Sequence, residues 1–495
     1  MHFHNLRAFL AFLSERRQLL TIDAPVNATY EITEIHRRVL REGGPALLFR
    51  HVLDAQGRRT PMPLLANLFG TRERVAWGLG RESDQLGALG EMLAGFRQPR
   101  MPRSLRDGVQ LLRTVSRAAA ARSRIESRPA CQEVVWEGDE VDLSRLPVQH
   151  FWPGEPAPLI TWGMVVSKGP SDAPQDDYNL GIYRMQVIGR NRTIMRWLPH
   201  RGGAQQFARW KQARQEPFPV AVVLGPDPTT LLSAVIPAPD TVSEYQLAAL
   251  ISGRKSMLAH CLRVPLQVPA ESEIVLEGEV SLTETAPEGP FADHTGYFNS
   301  VEPFPVFTIK AITMRRNPIY MSTLLSRPPD EPSVISEAFN DVFLPLLRQQ
   351  FPEIVDFWLP PEACSYRMAV VSIRKAYPGH ARRIMLGIWS SLRQFAYTKY
   401  VIVVDDDIDV RSWSDVIWAL STRADPVRDT VLIERTPIDY LDFASPQSGL
   451  GGKMGLDATH KIGPESSRLW GRPIHMDAET EQAITRRWAE FGLGG

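Results

Sequence analysis

Two carboxylates, Glu288 and Asp293, lie five residues apart in the stretch TAPEGPFADHTGYF, and a third, Glu284, immediately precedes it. Carboxyl groups packed closely in a partly dry site cannot all ionise, so one acquires a raised pKa and can donate a proton. An arginine beside them would hold the carboxylate of a substrate in its planar fork. Arg184 is the candidate, and the three residues would bind an acid and deliver a proton. The residue types alone equally allow a solvated turn.

A second group has the residue types that hold a metal and a phosphate. Asn179, His200 and Glu244 offer an amide oxygen, an imidazole and a carboxylate, a set that suits a Mn²⁺-like ion. The Gly-Gly turn after Arg201 has backbone N–H groups that can cradle a phosphate. Judged by type alone, local hydrogen bonding in turns explains such residues more often than a site does.

Three successive aspartates, Asp405 to Asp407, follow the apolar run YVIVV. Aspartates at the end of a buried strand are where an α/β sheet would hold Mg²⁺ for phosphoryl transfer, which suggests a phosphotransferase or hydrolase. Neither a P-loop nor a GxGxxG accompanies them in this half of the chain. We therefore favour a structural role, in helix capping or subunit contacts.

Composition limits the class of protein. The 495 residues suggest about three domains, and 43% hydrophobic with 23% charged residues is ordinary for a globular protein. A formal net charge of zero gives no field that would recruit nucleic acid. Three widely spaced cysteines indicate reduced thiols rather than a disulfide framework or zinc site. Without a signal-peptide pattern or a run of ~18 apolar residues, the sequence predicts a soluble, cytoplasmic protein.

The elements that must position these residues change character along the chain. Residues 1–130 have mixed α/β patterning, including a helix with Ile32, Ile35 and Val39 on one face. Residues 131–325 have many short β-type runs separated by Gly and Pro, which predicts a barrel or sandwich. Residues 326–495 alternate apolar strands with helices, which is typical of an open α/β sheet.

A basic stretch from Arg97 to Arg128 separates the first two regions. It has nine arginines against two acids, Asp107 and Glu126, and its middle is helical in pattern. Such a stretch can face anionic lipid. A solvated surface linker is the alternative that we favour.

Seven motifs, taken together, resemble the UbiD family of decarboxylases. They occur in the family's order over nearly the whole chain: NLGIYRMQVIGRNRTIMRWLPHRGGA, PDTVSEY, ETAPEGPFADHTGY, SRPPDEP, DDDIDV, TPIDYLDFASP and KMGLDAT. Within the family the resemblance is greatest to the branch that decarboxylates 4-hydroxy-3-polyprenylbenzoate in ubiquinone biosynthesis. Relatives acting on cinnamate-type acids usually have Glu where this chain has Asp293.

The resemblance implies an α+β, multidomain fold. An N-terminal α/β domain (1–130, with the basic linker at about 97–130) would precede a central split β-barrel, flavin-reductase-like, at 131–325. A C-terminal α/β domain (326–495), ending in a helix, would build a homo-oligomer, a hexamer with a dimer as its minimum unit. The implied cofactor is prenylated FMN from a flavin prenyltransferase, with Mn²⁺ and a monovalent cation such as K⁺. A polyprenyl substrate also implies peripheral contact with the inner face of the cell membrane.

The resemblance also implies residue roles. Asn179, His200 and Glu244 match metal ligands. Arg184, Glu288 and Asp293 match the catalytic set, with Asp293 in the place of the proton donor. Cofactor contacts match at Ile182, Tyr183, Arg184, Arg196, Trp197, Leu198, Arg201 and Gly202. Two other functions stay open: decarboxylation of a different aromatic or α,β-unsaturated acid, and a non-catalytic flavin-binding or scaffold role.

Overall fold

The computed structural model describes residues 1–97, 123–173, 176–199, 201–236, 242–472, 474 and 476–492. His200, one of the expected metal ligands, lies outside these residues, as does most of the basic stretch at 97–130. Within the described ranges, no helix combines the length and apolar character needed to cross a membrane.

The N-terminal region is a small sheet surrounded by helices. Its first helix forms because Leu6, Phe9, Leu10 and Leu13 share a buried face, and because Asn5 caps it by accepting from the backbone N–H of Ala8. The elements are α1 (Leu6–Glu15), β1 (Leu19–Ile22), β2 (Val26–Asn27), α2 (Glu31–Arg41), β3 (Ala46–Phe49), β4 (Val52–Leu53), β5 (Leu64–Ala66), α3 (Arg72–Gly78) and α4 (Leu86–Arg97). The predicted helix with Ile32 on its buried face is confirmed as α2.

The central region is dominated by one nine-stranded antiparallel sheet. Its elements are β6 (Arg124–Ile125), β7 (Val134–Glu137), β8 (Leu159–Ile160), β9 (Met164–Ser167), β10 (Asn179–Ile182), β11 (Met185–Gly189), β12 (Arg192–Met195), α5 (Gly202–Ala213), β13 (Phe218–Leu224), α6 (Pro228–Ser233), α7 (Glu244–Ser252), β14 (Met257–His260), β15 (Gln267–Pro269), β16 (Ile274–Glu288), β17 (Glu302–Met314) and β18 (Tyr320–Met321). The sheet order is β10-β9-β13-β16-β17-β12-β11-β8, with β7 on β17.

Two long strands curl this sheet. β16 and β17 pair with register shifts at Glu277/Gly278 and between Val280 and Thr285, and such bulges bend a ladder and increase its twist. Gly278 is needed at the first shift, because a Cβ there would lie 2.1 Å from the backbone oxygen of Thr308. The result is a curled half-barrel, which confirms the predicted central architecture.

The C-terminal region is an open α/β sheet, as predicted. Strands β20, β21 and β23 are parallel, and the two outer strands β19 and β22 are antiparallel to their neighbours. The elements are α8 (Glu331–Gln350), β19 (Ile354–Trp358), β20 (Met368–Ile373), α9 (His380–Ser391), β21 (Tyr400–Asp405), α10 (Trp413–Arg423), β22 (Thr430–Pro437), β23 (Leu450–Ala458) and α11 (Ala478–Arg487).

The three regions share one continuous core. Strand β18 pairs with β5, so the N-terminal sheet is completed by a strand from the end of the central region. Helix α4 packs against α8 so closely that a Cβ at Gly90 would lie 2.5 Å from the backbone oxygen of Val342. The start of α8 is held beside the end of the central region, because Glu331 accepts from Thr323 Oγ1 at 2.6 Å. A cleft opens there between the regions.

Candidate active site

Arg184, Glu288 and Asp293 meet at one side of this cleft. Arg184 follows β10, Glu288 ends β16, and Asp293 lies in the loop before β17. Arg184 Nε donates to Glu288 Oε1 at 2.9 Å, and its Nη1 donates to Asp293 Oδ2 at 2.8 Å. Arg184 therefore bonds both of the acids that were expected to act with it, and all three residues are buried.

Glu288 is the innermost member of the group. Its side chain is fully buried behind the cleft and accepts hydrogen bonds from Arg184, Arg196 and Asn299. Asn299 also accepts from Arg184 Nη2 at 2.8 Å, so its amide completes the bonds around the guanidinium. Sequence reasoning missed Asn299, although it stands only six residues after Asp293 in the same loop.

Asp293 is held as an anion. Burial alone would raise the pKa of Asp293, but the charge of Arg184 and the hydrogen bond from His294 outweigh burial and hold that pKa well below its usual range. The expectation that crowding raises the pKa of one acid in this group is therefore not met at Asp293. The spacing of the carboxylates did not show how closely two cationic or donor groups would approach it.

A raised carboxyl pKa occurs instead at Glu155. Burial raises the pKa of Glu155 to about 7. Glu155 accepts backbone N–H bonds from Phe151 and Trp152 at 3.1 Å and from Ala292 at 3.3 Å. Since Ala292 directly precedes Asp293, Glu155 fixes the backbone of the loop that carries the acid. No signal in the sequence distinguished it.

The C-terminal region closes the cleft from the opposite side. Tyr440 accepts from Arg196 Nη2 at 2.7 Å, and Arg367 Nη1 lies 3.2 Å from His294 Nε2. Both residues were missed, although Tyr440 lies within the motif TPIDYLDFASP that carried part of the family resemblance. Glu284, the third carboxylate, pairs with Arg192 at the surface, as a solvated residue would.

The cleft has a volume of about 1180 Å³. All but two of the residues expected to hold cofactor, metal or substrate line it; the exceptions are Glu288, which lies behind Arg184, and His200, which is not described. The lining residues among them are Asn179, Ile182, Tyr183, Arg184, Arg196, Trp197, Leu198, Arg201, Gly202, Glu244 and Asp293. A volume of this size can hold a nucleotide cofactor together with a small substrate.

The polar end of the cleft fits a phosphate and a hard cation. Helix α5 begins at Gly202, where a Cβ would lie 2.0 Å from Asn179 Oδ1, so only glycine fits against that amide. Backbone N–H groups at a helix N-terminus bind phosphate, and Arg201 adjoins them. Asn179 also keeps a buried Nδ2 without a hydrogen-bond partner. These residues fit the phosphate of a flavin nucleotide.

Two of the three expected metal ligands, Asn179 and Glu244, lie close together. Glu244 begins α7 and accepts from the backbone N–H of Leu180 at 2.9 Å, which places its carboxylate beside Asn179. Among the residues that the structure describes, there is no group of three or more His, Cys, Asp or Glu side chains placed to hold a metal. Asn179 and Glu244 supply oxygen donors of the kind that Mn²⁺ accepts.

The aspartates Asp405 to Asp407 are engaged elsewhere. Arg423 donates to Asp405 at 2.6 Å and to Asp407 at 2.8 Å, and Arg374 pairs with Asp406 at 3.4 Å. None of the three aspartates lines the cleft. Each has a cationic partner, which favours the structural role over a phosphotransferase site.

Comparison with known proteins agrees with this fold. Three family models match: the 3-octaprenyl-4-hydroxybenzoate carboxy-lyase N-terminal domain at 10–93, its Rift-related domain at 123–328 and its C-terminal domain at 333–458. The fold and the family models thus define a carboxy-lyase. The chain belongs to the UbiD family.

Solved structures resemble the chain over its whole length. The UbiD-class enzyme HmfF from Pelotomaculum thermopropionicum, in complex with FMN, is 26% identical with a TM-score of 0.79, covering 97% of this chain and 98% of that one. The vanillic acid decarboxylase of Sedimentibacter hydroxybenzoicus in its closed form is 25% identical with a TM-score of 0.83, covering 99% of each. An evolved dimeric form of HmfF, in complex with prFMN, is 26% identical with a TM-score of 0.75, covering 94% of this chain and 97% of that one.

Proposed function

We propose that the protein removes CO₂ from a 4-hydroxy-3-polyprenylbenzoate, the decarboxylation of ubiquinone biosynthesis. The observation that supports this most is a buried arginine, Arg184, that reaches the cleft while two acids, Glu288 and Asp293, hold it in place. An arginine in that position binds a substrate carboxylate, and an acid beside it can return a proton.

Prenylated FMN is the cofactor that we propose for the cleft. Removing CO₂ from an electron-rich aromatic acid leaves an electron pair that no side chain can store, and the bound flavin supplies that electron sink. Gly202 and Arg201 would hold its phosphate. Asn179 and Glu244, with His200, would hold Mn²⁺, accompanied by K⁺. The ring would lie along the residues from Ile182 to Arg184 and from Arg196 to Leu198.

The side chains must also supply one proton for each CO₂ released, because hydrogen replaces the carboxylate on the substrate carbon. Asp293 is ionised while Arg184 is bonded to it. When a substrate carboxylate binds Arg184, its negative charge opposes that of Asp293 and shares the guanidinium, which raises the pKa of Asp293. Asp293 can then take a proton from solvent and pass it to the carbon. Glu288, inaccessible behind Arg184, keeps the guanidinium oriented.

A group of exposed apolar side chains, in the loop after Asp293 and in the C-terminal region, supports a substrate with an apolar substituent. Tyr297, Phe298 and Val301, which follow Asp293 in its loop, are exposed, and so is Phe443 of the C-terminal region. Tyr297 and Phe443 meet edge to face across the boundary, with ring centroids 6.2 Å apart. Exposed apolar clusters of this kind mark binding sites for apolar groups.

A substrate panel tests this function. The protein would be co-expressed with a flavin prenyltransferase, which supplies the cofactor, and assayed for CO₂ release from 4-hydroxybenzoates with prenyl substituents of increasing length. We expect kcat/KM to rise with prenyl length. A preference for unprenylated acids would support the second candidate, a decarboxylase of another aromatic or α,β-unsaturated acid. The similarity to a vanillic acid decarboxylase favours this candidate.

We also propose that the protein is a homo-oligomer, with a dimer as its minimum unit and a hexamer as the full assembly. The C-terminal segment leaves large apolar side chains exposed: Leu469, Ile474, Met476, Ile484, Trp488 and Phe491. A second copy would cover them. Light scattering should show a smaller particle for the double variant Ile484→Asp/Trp488→Asp than for the wild type, and an unchanged mass would contradict the proposal.

Contact with the membrane surface stays a proposal about Arg97–Arg128, most of which is not described. Each basic residue near an anionic leaflet contributes ~1 kcal/mol, so nine arginines could bring a cytoplasmic enzyme to a lipid-soluble substrate. Co-sedimentation with anionic liposomes should fall with salt and with Arg→Ala changes in this stretch. Liposome binding that is unchanged by salt and by the Arg→Ala substitutions would contradict membrane contact through this stretch.

A further inference from the structure

His294 joins the catalytic acid to the C-terminal region. Its Nδ1 lies 2.7 Å from Asp293 Oδ1, and its Nε2 lies 3.2 Å from Arg367 Nη1. Nη2 of Arg367 in turn lies 3.1 Å from Asp439 Oδ2, in the segment that also supplies Tyr440. A chain of four polar side chains thus runs from the loop of the central sheet to the domain that closes the cleft.

The donor roles in this chain follow from the chemistry of arginine. A guanidinium donates hydrogen bonds and cannot accept them, so Nε2 of His294 must accept from Arg367 with its lone pair. The ring proton is then on Nδ1, which donates to Asp293 Oδ1. The backbone N–H of His294 donates to the same oxygen at 2.8 Å, while Arg184 donates to the other oxygen. Both carboxylate oxygens of Asp293 are thereby fixed in direction.

The groups that face His294 have opposite effects on its charge. Burial and the charge of Arg367 lower the pKa of His294, whereas the hydrogen bond with Asp293 and the charges of Asp293 and Asp439 raise it, with a net upward shift. Asp330, which immediately precedes α8, is a further acid that interacts with the ring. Losing Arg367 would therefore raise the pKa of His294 further and favour an imidazolium.

We propose that Arg367 is a positioning residue for decarboxylation: its contact with Nε2 opposes a proton on that nitrogen, holds the proton of the neutral His294 ring on Nδ1, and so couples the packing of the C-terminal region to the orientation of Asp293. The consequence for catalysis rests on the proposed function. The state of the ring does not, since it belongs to the protein without substrate.

The first test reads the ring directly. The full-length protein, labelled with ¹⁵N-histidine, would be examined by NMR at pH 8, with His294→Gln identifying the His294 signals. We expect the neutral form of His294 to carry Nδ1–H in the wild type, and Arg367→Met to show more imidazolium or the Nε2–H form. The same Nδ1–H form in both proteins would overturn the proposal, whether or not the protein proves to be a decarboxylase.

The second test uses the cofactor-loaded enzyme and 4-hydroxybenzoate with a short prenyl substituent. We expect Arg367→Met to lower kcat by roughly 10–100-fold with little change in KM, because a small misplacement of the acid slows the reaction to that extent. The acid limb of the kcat profile should move to higher pH in this variant and disappear in His294→Gln. Arg367→Lys can still donate to Nε2 and should therefore have a higher kcat than Arg367→Met. If Arg367→Met folds poorly, the kcat and pH profile of Arg367→Lys still test the proposal.

A matched control exists in the C-terminal sheet. His460 Nδ1 also lies 2.7 Å from an aspartate, Asp405 Oδ1, but away from the cleft. His460→Gln should leave kcat and its pH profile unchanged. An Arg367→Met enzyme with wild-type kcat, or with an unmoved acid limb, would contradict the proposal. Wild-type protein inactive on every acid would instead count against the proposed function.

Discussion

Two clusters of acid, arginine and histidine in this molecule share nearly the same bonds. At the cleft, Asp293 accepts from Arg184 at 2.8 Å and lies 2.7 Å from the Nδ1 of His294. In the C-terminal sheet, Asp405 accepts from Arg423 at 2.6 Å and lies 2.7 Å from the Nδ1 of His460. In each cluster the histidine also donates its backbone N–H to the same aspartate.

The clusters differ in what lies next to them. The Asp293 cluster borders a cleft of about 1180 Å³ and is shared by two regions of the chain. The Asp405 cluster lies at the carboxyl end of β21, the central strand of one sheet. Residue types and bonding geometry are therefore insufficient to identify a catalytic group. The cleft beside Asp293 and Arg184, which a substrate could enter, is what distinguishes the first cluster from the second.

The comparison predicts its largest effect at Asp293. Asp293→Asn keeps the shape and most of the bonds but cannot deliver a proton, and general acids typically contribute about 10²–10⁴-fold to rate. The variant should bind prenylated FMN normally and lose turnover to that extent. Flavin absorbance and CO₂ release measure the two properties, and full activity would remove Asp293 from the donor role.

Glu288→Gln should have the largest effect on stability. Arg184 and Arg196 both donate to Glu288, so neutralising it leaves two buried guanidinium groups without their shared counter-charge. Removing one partner of a buried ion pair costs about 3–5 kcal/mol of folding free energy. Chemical denaturation measures the loss. An unchanged free energy of unfolding would show that Glu288 is not the structural anchor of the pair.

Glu244→Ala tests the polar end of the cleft, away from the Asp293 cluster. If Glu244 and Asn179 hold Mn²⁺ beside the flavin phosphate, the variant should lose bound metal and bound flavin together, by roughly 10-fold or more in occupancy. Metal analysis and flavin absorbance of the purified protein give both values. Unchanged occupancy of both would exclude Glu244 from the site.

The smallest effect on activity is expected at Arg423, the counterpart of Arg184. Arg423→Gln removes charged hydrogen bonds to Asp405 and Asp407, which contribute about 1–3 kcal/mol to stability, but leaves the cleft untouched. The melting temperature should fall, while kcat and KM stay at wild-type values. A large loss of kcat would contradict the expectation that only the Asp293 cluster contributes to activity.

The sequence predicted the main helices and strands and the candidate residues within individual segments of the chain. Hydrophobic periodicity predicted α2 and the alternating C-terminal sheet, and the family resemblance brought Arg184, Glu288 and Asp293 together. Contacts across regions were not predicted. Arg367 stands 73 residues after His294, and their approach depends on how the C-terminal region packs, which no local pattern encodes. The low pKa of Asp293 was missed for the same reason, because it depends on how closely Arg184 and His294 approach.

The stoichiometry of the reaction in D₂O with a prenylated 4-hydroxybenzoate tests the flavin and Asp293 together. For protein loaded with prenylated FMN, we predict one CO₂ released and one deuterium incorporated on the carbon that bore the carboxylate, for each turnover, with neither observed for protein stripped of its flavin. Equal activity in the stripped protein, or CO₂ release without deuterium at that carbon, would contradict a site in which a flavin stores the electron pair and Asp293 returns the proton.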